Sequence, residues 1–385
     1  MNKTTHIYKT IDDLCLLLPT FREQLLKTVG PPVKGFVGFD GFVDTFIRMR
    51  NPASMAELGP KITKAAGIAA SYSVNHEGDK FGGNGPLFAA AFSDLFTGKS
   101  EVSYIGAVGK DQVEPIFLEA LEDKMHRIIP IAPSAHSDCL EFTDGKIMLG
   151  DFDACDEVTL ERLLSVMGQD SLDGYLKTST FISAVNWGKL ANVGEIWSYL
   201  ASRSAEVGRN KKEVLFFMDL AEFEHRSEED VQGLIARMGG ITEQFTSLLS
   251  FNLKEAWQLG DRFGGAFHGK KDAESVVELA CLLRNHLDVD KLIIHPNDGA
   301  ACADAETCIF VPGPYCQSPL ISTGAGDNFG AGCLAAKLKG LDDANMLLAG
   351  NSASGYFVRS GRTPSFRDMV TFVDSWAVGS LPERL

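Results

Sequence analysis

Ser322-Thr323-Gly324-Ala325-Gly326-Asp327, continued by Asn328-Phe329-Gly330-Ala331-Gly332-Cys333-Leu334-Ala335-Ala336-Lys337, joins a run of minimal side chains to an Ala-rich helical pattern. Residues 324 to 326 let the backbone pass close to a ligand, and the unpaired N–H groups and dipole of a helix start favour a bound anion. Asp327 sets a carboxylate beside that anion cradle. A base next to a phosphate site is the pair of functions that phosphoryl transfer from ATP to an alcohol requires. Spacing alone also allows Asp327 to be a helix cap, a common place for Asp.

Outward from this run, apolar strand candidates recur at 35–39, 102–108, 180–185, 214–218, 248–251 and 291–295. Helical patterns lie between them, at 115–125, 229–238, 273–287 and 328–339. Strands alternating with helices predict an α/β fold with a mostly parallel sheet covered on both faces. Two segments break the alternation, 43–72 and about 138–153, and the second carries Asp144-Gly145 between two extended halves, a hairpin signal. Both are expected to build a small antiparallel β lid on one domain spanning 35–385. Residues 8–30 read as one or two helices ended by Gly30-Pro31-Pro32, so 1–34 is expected to be a helical extension.

The chain has 385 residues and a formal charge of −15, which repels nucleic-acid phosphate. No stretch approaches the roughly 20 apolar residues of a membrane helix, and the polar start Met1-Asn2-Lys3-Thr4-Thr5-His6, which leads into a mixed segment, gives no expectation of a secretion signal. The eight cysteines form no Cys-x-x-Cys pair, which fits buried thiols and a cytoplasmic setting better than a disulfide framework or zinc site. Ser93 to Ser100 nearly spells a P-loop, but Ser93 replaces its first glycine and a strand follows, so Gly98 reads as a helix cap.

Further motifs fall in a telling order: Val37-Gly38-Phe39-Asp40-Gly41-Phe42-Val43-Asp44, Phe81-Gly82-Gly83-Asn84-Gly85, Gly106-Ala107-Val108-Gly109-Lys110-Asp111, Asn252-Leu253-Lys254-Glu255, and then Ser322 to Asp327. In this order, over about residues 35–375, the chain resembles the ribokinase-like (PfkB) carbohydrate kinase family, whose signature Asp-Thr-x-Gly-Ala-Gly-Asp ends here at Asp327. The resemblance implies a three-layer α/β/α sandwich with a β lid, and a kinase using ATP and Mg²⁺ on a small polyhydroxylated substrate, a sugar first. Asp327 is then the base, with Gly324, Ala325 and Gly326 as the anion hole.

Asp44, Gly82, Gly83, Asn84 and Asn186 are expected on the substrate, Gly82 and Gly83 because bare backbone lets a polyol approach. Asp40, in Asp40-Gly41, reads rather as a turn residue. Asn252 and Glu255, three apart at a strand end entering a helix, are expected to order the water shell of Mg²⁺. His295, Gly299, Thr323 and Asn351 are assigned to the nucleotide. The loop 358–365, with Gly361 and Ser365, resembles one that helps hold a monovalent cation such as K⁺, although Ile321 replaces the family's first signature aspartate. Leu87 stands where the family usually has Asn, and Trp187 reads as core. Arg48, Arg50 and Lys80 are the nearest cations for a phosphorylated substrate. A nucleoside or sugar-phosphate kinase and a non-catalytic sugar- or nucleotide-binding protein are the competing readings, and pairing of two lids into a homodimer is the assembly such a lid allows.

Overall fold

The computed structural model describes residues 3–27, 32–96 and 100–385. Gly30, Pro31 and the Gly98 cap therefore lie outside the described residues. In chain order the strands are β1 (Thr4–Ile7), β2 (Val33–Gly38), β3 (Phe42–Asn51), β4 (Ser73–Gly82), β5 (Ser100–Gly106), β6 (Arg127–Pro130) and β7 (Ala135–Glu141). They continue with β8 (Lys146–Asp151), β9 (Phe181–Val185), β10 (Leu215–Asp219), β11 (Thr246–Asn252), β12 (Lys291–His295), β13 (Gly299–Ala303) and β14 (Thr307–Pro312).

Among the described residues, ten strands form the main sheet in the order β1-β14-β13-β12-β11-β10-β9-β2-β5-β6. Only β13 runs against its neighbours, β12 and β14. Every residue of β9 is buried, as are the middles of β10, β11 and β12, the pattern of a parallel sheet with helices on both faces. One apolar cluster, with Trp197, Phe216 and Phe245, fills the space above one face. A second, with Phe88, Phe92, Phe181 and Phe217, fills the other and packs the helices Asn84–Phe96, Ala325–Leu338 and Asp343–Ser360. The expected three-layer α/β architecture is what the chain adopts.

The described residues within 1–34 depart from the expected helical extension. Thr4–Ile7 pairs in parallel with Thr307–Phe310 and adds an edge strand to the main sheet. The helix Ile11–Leu26, started by a Thr10–Asp13 capping box, buries Leu14, Phe21 and Leu25 in the second core cluster. Arg22 also donates to Asp374 on the helix Phe366–Ala377. The segment is thus an integral part of the domain.

The lid is a four-stranded sheet, β4-β3-β7-β8. Its β7–β8 hairpin closes at Asp144-Gly145 as expected, and Asp144 accepts from the amides of Met55 and Ala56. Its first part differs: 55–64 is helical, and the returning strand, β4, lies at 73–82 beyond the expected limit of 72. Most of β4 is exposed and polar, so it carries no alternation of apolar residues to announce it. The cysteines depart at one pair, since Cys281 and Cys308 are joined by a disulfide that ties the helix Ala273–Leu287 to β14. The remaining six are free thiols.

Candidate active site

Asp327 is not the cap of its helix. That place falls to Gly324, at φ 90°, with no capping side chain, and Asp327 sits three residues further in. A left-handed cap turns the backbone sharply, which is the conformation glycine tolerates best. Asp327 accepts a hydrogen bond from Asn84 Nδ2 at 3.1 Å. It is only partly exposed, and that burial, together with the carboxylates of Asp219 and Asp40, pushes its pKa well above the usual carboxylate range.

Asn84 is held in turn by Asp40. The Asp40 carboxylate accepts from Asn84 N at 2.8 Å, Gly85 N at 2.7 Å and Asn186 Nδ2 at 2.7 Å. Negative charge at the start of the helix Asn84–Phe96 satisfies two of its orphan amides. Asp40 is fully buried, and desolvation raises its pKa to about 6. The turn reading of Asp40 is therefore corrected: Asp40 is the hub that fixes Asn84 and Asn186, the latter held at φ 63°.

A cavity of about 450 Å³ opens beside these groups, lined by Asp44, Gly83, Asn84, Asn186 and Asp327 and walled by Phe42, Leu87, Met148 and Phe152. Asp44 is 5% exposed; burial raises its pKa against the opposing pull of Lys146, a Ser137 hydrogen bond and His136. Gly82 stands behind Asp44 rather than in the cavity, because a Cβ there would lie 2.3 Å from Asp44 Oδ2. Thr323, expected on the nucleotide, lines this cavity instead, and the lid residue Lys146 donates to its hydroxyl at 2.7 Å.

On the other side of the Gly324–Asp327 turn lies a cavity of about 430 Å³ whose lining includes Asn252, His295, Gly326 and Asn351. Asn351 donates to the carbonyls of Val311 and Pro312 at 3.2 and 3.0 Å, which fixes that wall. His295 stacks on Phe329 with ring centroids 4.5 Å apart, and burial lowers its pKa to about 4. It is neutral at pH 7 and offers no charge to a phosphate. Gly299 does not reach this cavity: a Cβ there would lie 2.4 Å from Phe310 Cζ, so its smallness serves the packing of β13 on β14.

Between the two cavities is a pocket of about 200 Å³ lined by Asn84, Asp219, Glu222, Asn252, Glu255 and His295, among others. Asn252 caps the helix Leu253–Arg262 and forms a reciprocal box with Glu255, at 3.0 Å for Asn252 N to Glu255 Oε2 and 3.0 Å for Glu255 N to Asn252 Oδ1. Burial, reinforced by Asp219, raises the Glu255 pKa to about 8, and burial also raises that of Asp219 to about 6. Asp219 escaped the sequence reading. Its signal was a carboxylate closing an apolar strand at the carboxyl edge of a parallel sheet, where ligands bind.

The other expected groups lie elsewhere. Ser365 caps the helix Phe366–Ala377 in a box with Asp368, and Gly361 is the left-handed end of the helix Asp343–Ser360, so the Ser365 hydroxyl is already committed. Arg48 pairs with Glu77 and Glu141 on the exposed lid. Lys80 lies over the Phe46 ring, and neither these two nor Arg50 lines the acceptor-side cavity. Trp187 is 4% exposed with Arg226 over its ring, a core residue as expected.

A doubly covered parallel sheet, a β lid and an aspartate between two cavities at the sheet's carboxyl edge define a ribokinase-like carbohydrate kinase, an ATP-dependent phosphotransferase acting on a sugar hydroxyl. The model of the prokaryotic ketohexokinase family matches residues 17–376, and the chain belongs to that family. A ketohexokinase of Haloferax volcanii is 24% identical over 351 residues, covering 88% of this chain and 90% of that protein. Among solved structures, Arabidopsis thaliana ribokinase complexed with ribose and ATP superposes with a TM-score of 0.63 at 16% identity, covering 89% of this chain and 99% of that one. A mutant of phosphofructokinase-2 from Escherichia coli gives 0.61 at 14% identity, covering 91% and 100%. At these identities the two structures speak for the fold.

Proposed function

We propose that this chain transfers the γ-phosphoryl group of ATP to a hydroxyl of a ketohexose, with Asp327 as the base. The observation that carries this reading is the placement of Asp327: inside the first turn of its helix, free of capping duty, and on the turn that separates the two cavities. The family match and the Haloferax volcanii relative support a ketohexose as the acceptor.

The sugar occupies the cavity beneath the lid. Asp44 accepts from its hydroxyls, and Asn84 and Asn186 are held ready by Asp40. Asp327 takes the proton of the acceptor hydroxyl; that oxygen bonds to the γ-phosphorus while the bond to the leaving ADP oxygen breaks. The amides at the start of the helix Ala325–Leu338 face the charge that develops on the transferred group. Leu87, Phe42, Met148 and Phe152 give the cavity an apolar side that excludes water. Lys189, the ammonium that lines this cavity among the described residues, is paired with Glu222 at 2.5 Å, and Lys146 beside it is held by Thr323, which favours an uncharged sugar over a phosphorylated one.

The residues fit a divalent cation held through water. Among the described residues no group of three His, Cys, Asp or Glu side chains can cage a metal. Asp219, Asn252 and Glu255 nevertheless set two partly neutralised carboxylates and an amide around one small pocket. Mg²⁺ bound there would supply positive charge against the ATP phosphates and the mutual repulsion of these carboxylates. No helix among the described residues is long and apolar enough to cross a membrane.

The test is an ATP-turnover panel of ketohexoses, aldohexoses, ribose, fructose 6-phosphate and nucleosides. A preference of at least about tenfold in kcat/KM for one ketohexose is expected. Preference for a nucleoside or for the phosphorylated sugar would overturn the acceptor assignment.

A further inference from the structure

The wall of the nucleotide-side cavity is not self-supporting. Pro314, Tyr315, Cys316 and Gln317 line it within an irregular loop between β14 and the Ser322–Asp327 run. That loop is gripped by three charged residues distant in sequence, Arg359, Glu383 and Arg384. Arg359, 3% exposed, donates to the carbonyls of Pro314 at 3.0 Å and Tyr315 at 2.7 Å. It also donates to Pro382 O at 3.0 Å, so one buried guanidinium joins the loop to the segment 382–385. From that segment, Glu383 Oε2 accepts from Gln317 N at 3.0 Å, Ser318 N at 3.3 Å and the Cys316 thiol at 3.3 Å. Arg384 donates to Ser318 O.

These bonds commit the guanidinium to carbonyls and the carboxylate to N–H and S–H donors, which is how charged groups lock irregular backbone that has no ladder of its own. Arg359 and Glu383 approach neither the acceptor-side cavity nor Asp327. A loop with fewer tethers samples more conformations, and the entropy lost in ordering it then opposes binding.

We infer that Arg359 and Glu383 are positioning residues for the nucleotide: they hold the 314–318 wall in its binding shape and thereby set the affinity for ATP independently of the sugar. The inference rests on reading this cavity as the ATP site. Glu383 is the better handle because it is exposed, whereas Arg359 is built into the core.

The experiment has two arms. In the first, Cys316 serves as a reporter, since it is one of the residues that line the cavity. Iodoacetamide labelling of the Cys316 peptide, read by mass spectrometry, is expected to slow at least about fivefold when the full-length protein holds a non-hydrolysable ATP analogue. No protection in the wild-type protein overturns the cavity reading and the inference together. In the second arm, Glu383→Ala is expected to raise KM for ATP about tenfold with KM for the sugar unchanged. Glu383→Gln, whose amide oxygen can still accept from the Gln317 and Ser318 amides, is expected to recover most of that loss. With wild-type protection established, an unchanged KM for ATP in Glu383→Ala, or an equal rise in both KM values, overturns the inference while leaving the cavity reading intact.

Discussion

Asn84 and Asp327, 243 positions apart, meet through a 3.1 Å hydrogen bond from the Asn84 side-chain amide to the carboxylate. The bond couples the helix that begins the acceptor site to the helix that begins the phosphoryl-transfer turn. Since Asn84 donates, it favours the ionised form of Asp327 against the burial and like charges that oppose it. Asn84→Ala is therefore expected to lower kcat about tenfold and to move the acid limb of the pH–rate profile to higher pH. A steady-state pH series on the purified variant checks both effects.

Asp40 makes a stability prediction whose sign follows from its raised pKa. Its folded-state value of about 6 lies above the ordinary 3.8, so between these values the folded chain holds more protons than the unfolded chain. The Asp40 contribution to stability accordingly falls as pH rises through that window and is constant above it, a change on the order of 3 kcal/mol. Asp40→Asn removes this titration. Urea melts of both proteins from about pH 4 to 7 should show the stability of the wild type, relative to the variant, declining to about pH 6 and then levelling.

Lys146 crosses from the lid to Thr323 at 2.7 Å, the contact that ties the lid to the transfer turn. Removing either partner, by Lys146→Ala or Thr323→Val, is expected to raise KM for the sugar about fivefold. The double variant should cost little more than one single variant, with a coupling on the order of 1 kcal/mol. Additive losses would show that the two residues act separately.

Ser365→Ala tests whether the residue that caps the helix Phe366–Ala377 also serves a cation. Loss of an N-cap lowers stability by about 1 kcal/mol. The response of turnover to replacing K⁺ by Na⁺ should be the same in variant and wild type. A cation response that disappears with the hydroxyl would return Ser365 to a cation site.

Much of this site was legible because its chemistry is local in sequence. The Gly324–Asp327 turn and the Asn252–Glu255 pair each occupy a few consecutive positions, and each stands at the start of a helix, as its residues implied. The central strands were legible from short apolar runs, because burial on both faces leaves no polar positions to blur them. What was missed is non-local or polar. Asp40 looked like a turn residue because Asn84 and Asn186, its partners, lie 44 and 146 positions away. The edge strand Thr4–Ile7 and the exposed lid strand Ser73–Gly82 are paired by backbone hydrogen bonds that leave no apolar pattern. Thr323 and Gly299 were placed on the nucleotide by motif, whereas the direction of a turn and the packing of Phe310 decide where each one lies.

The measurement that bears most directly on the central claim is the turnover of Asp327→Asn at saturating ATP and sugar, with binding of both ligands followed by calorimetry. Asn keeps the shape of the side chain and an acceptor for Asn84 but cannot take a proton at neutral pH. The expected result is a fall in kcat of about 10² to 10⁴ with both ligands still bound. A variant that turns over at close to the wild-type rate would contradict the assignment of Asp327 as the base.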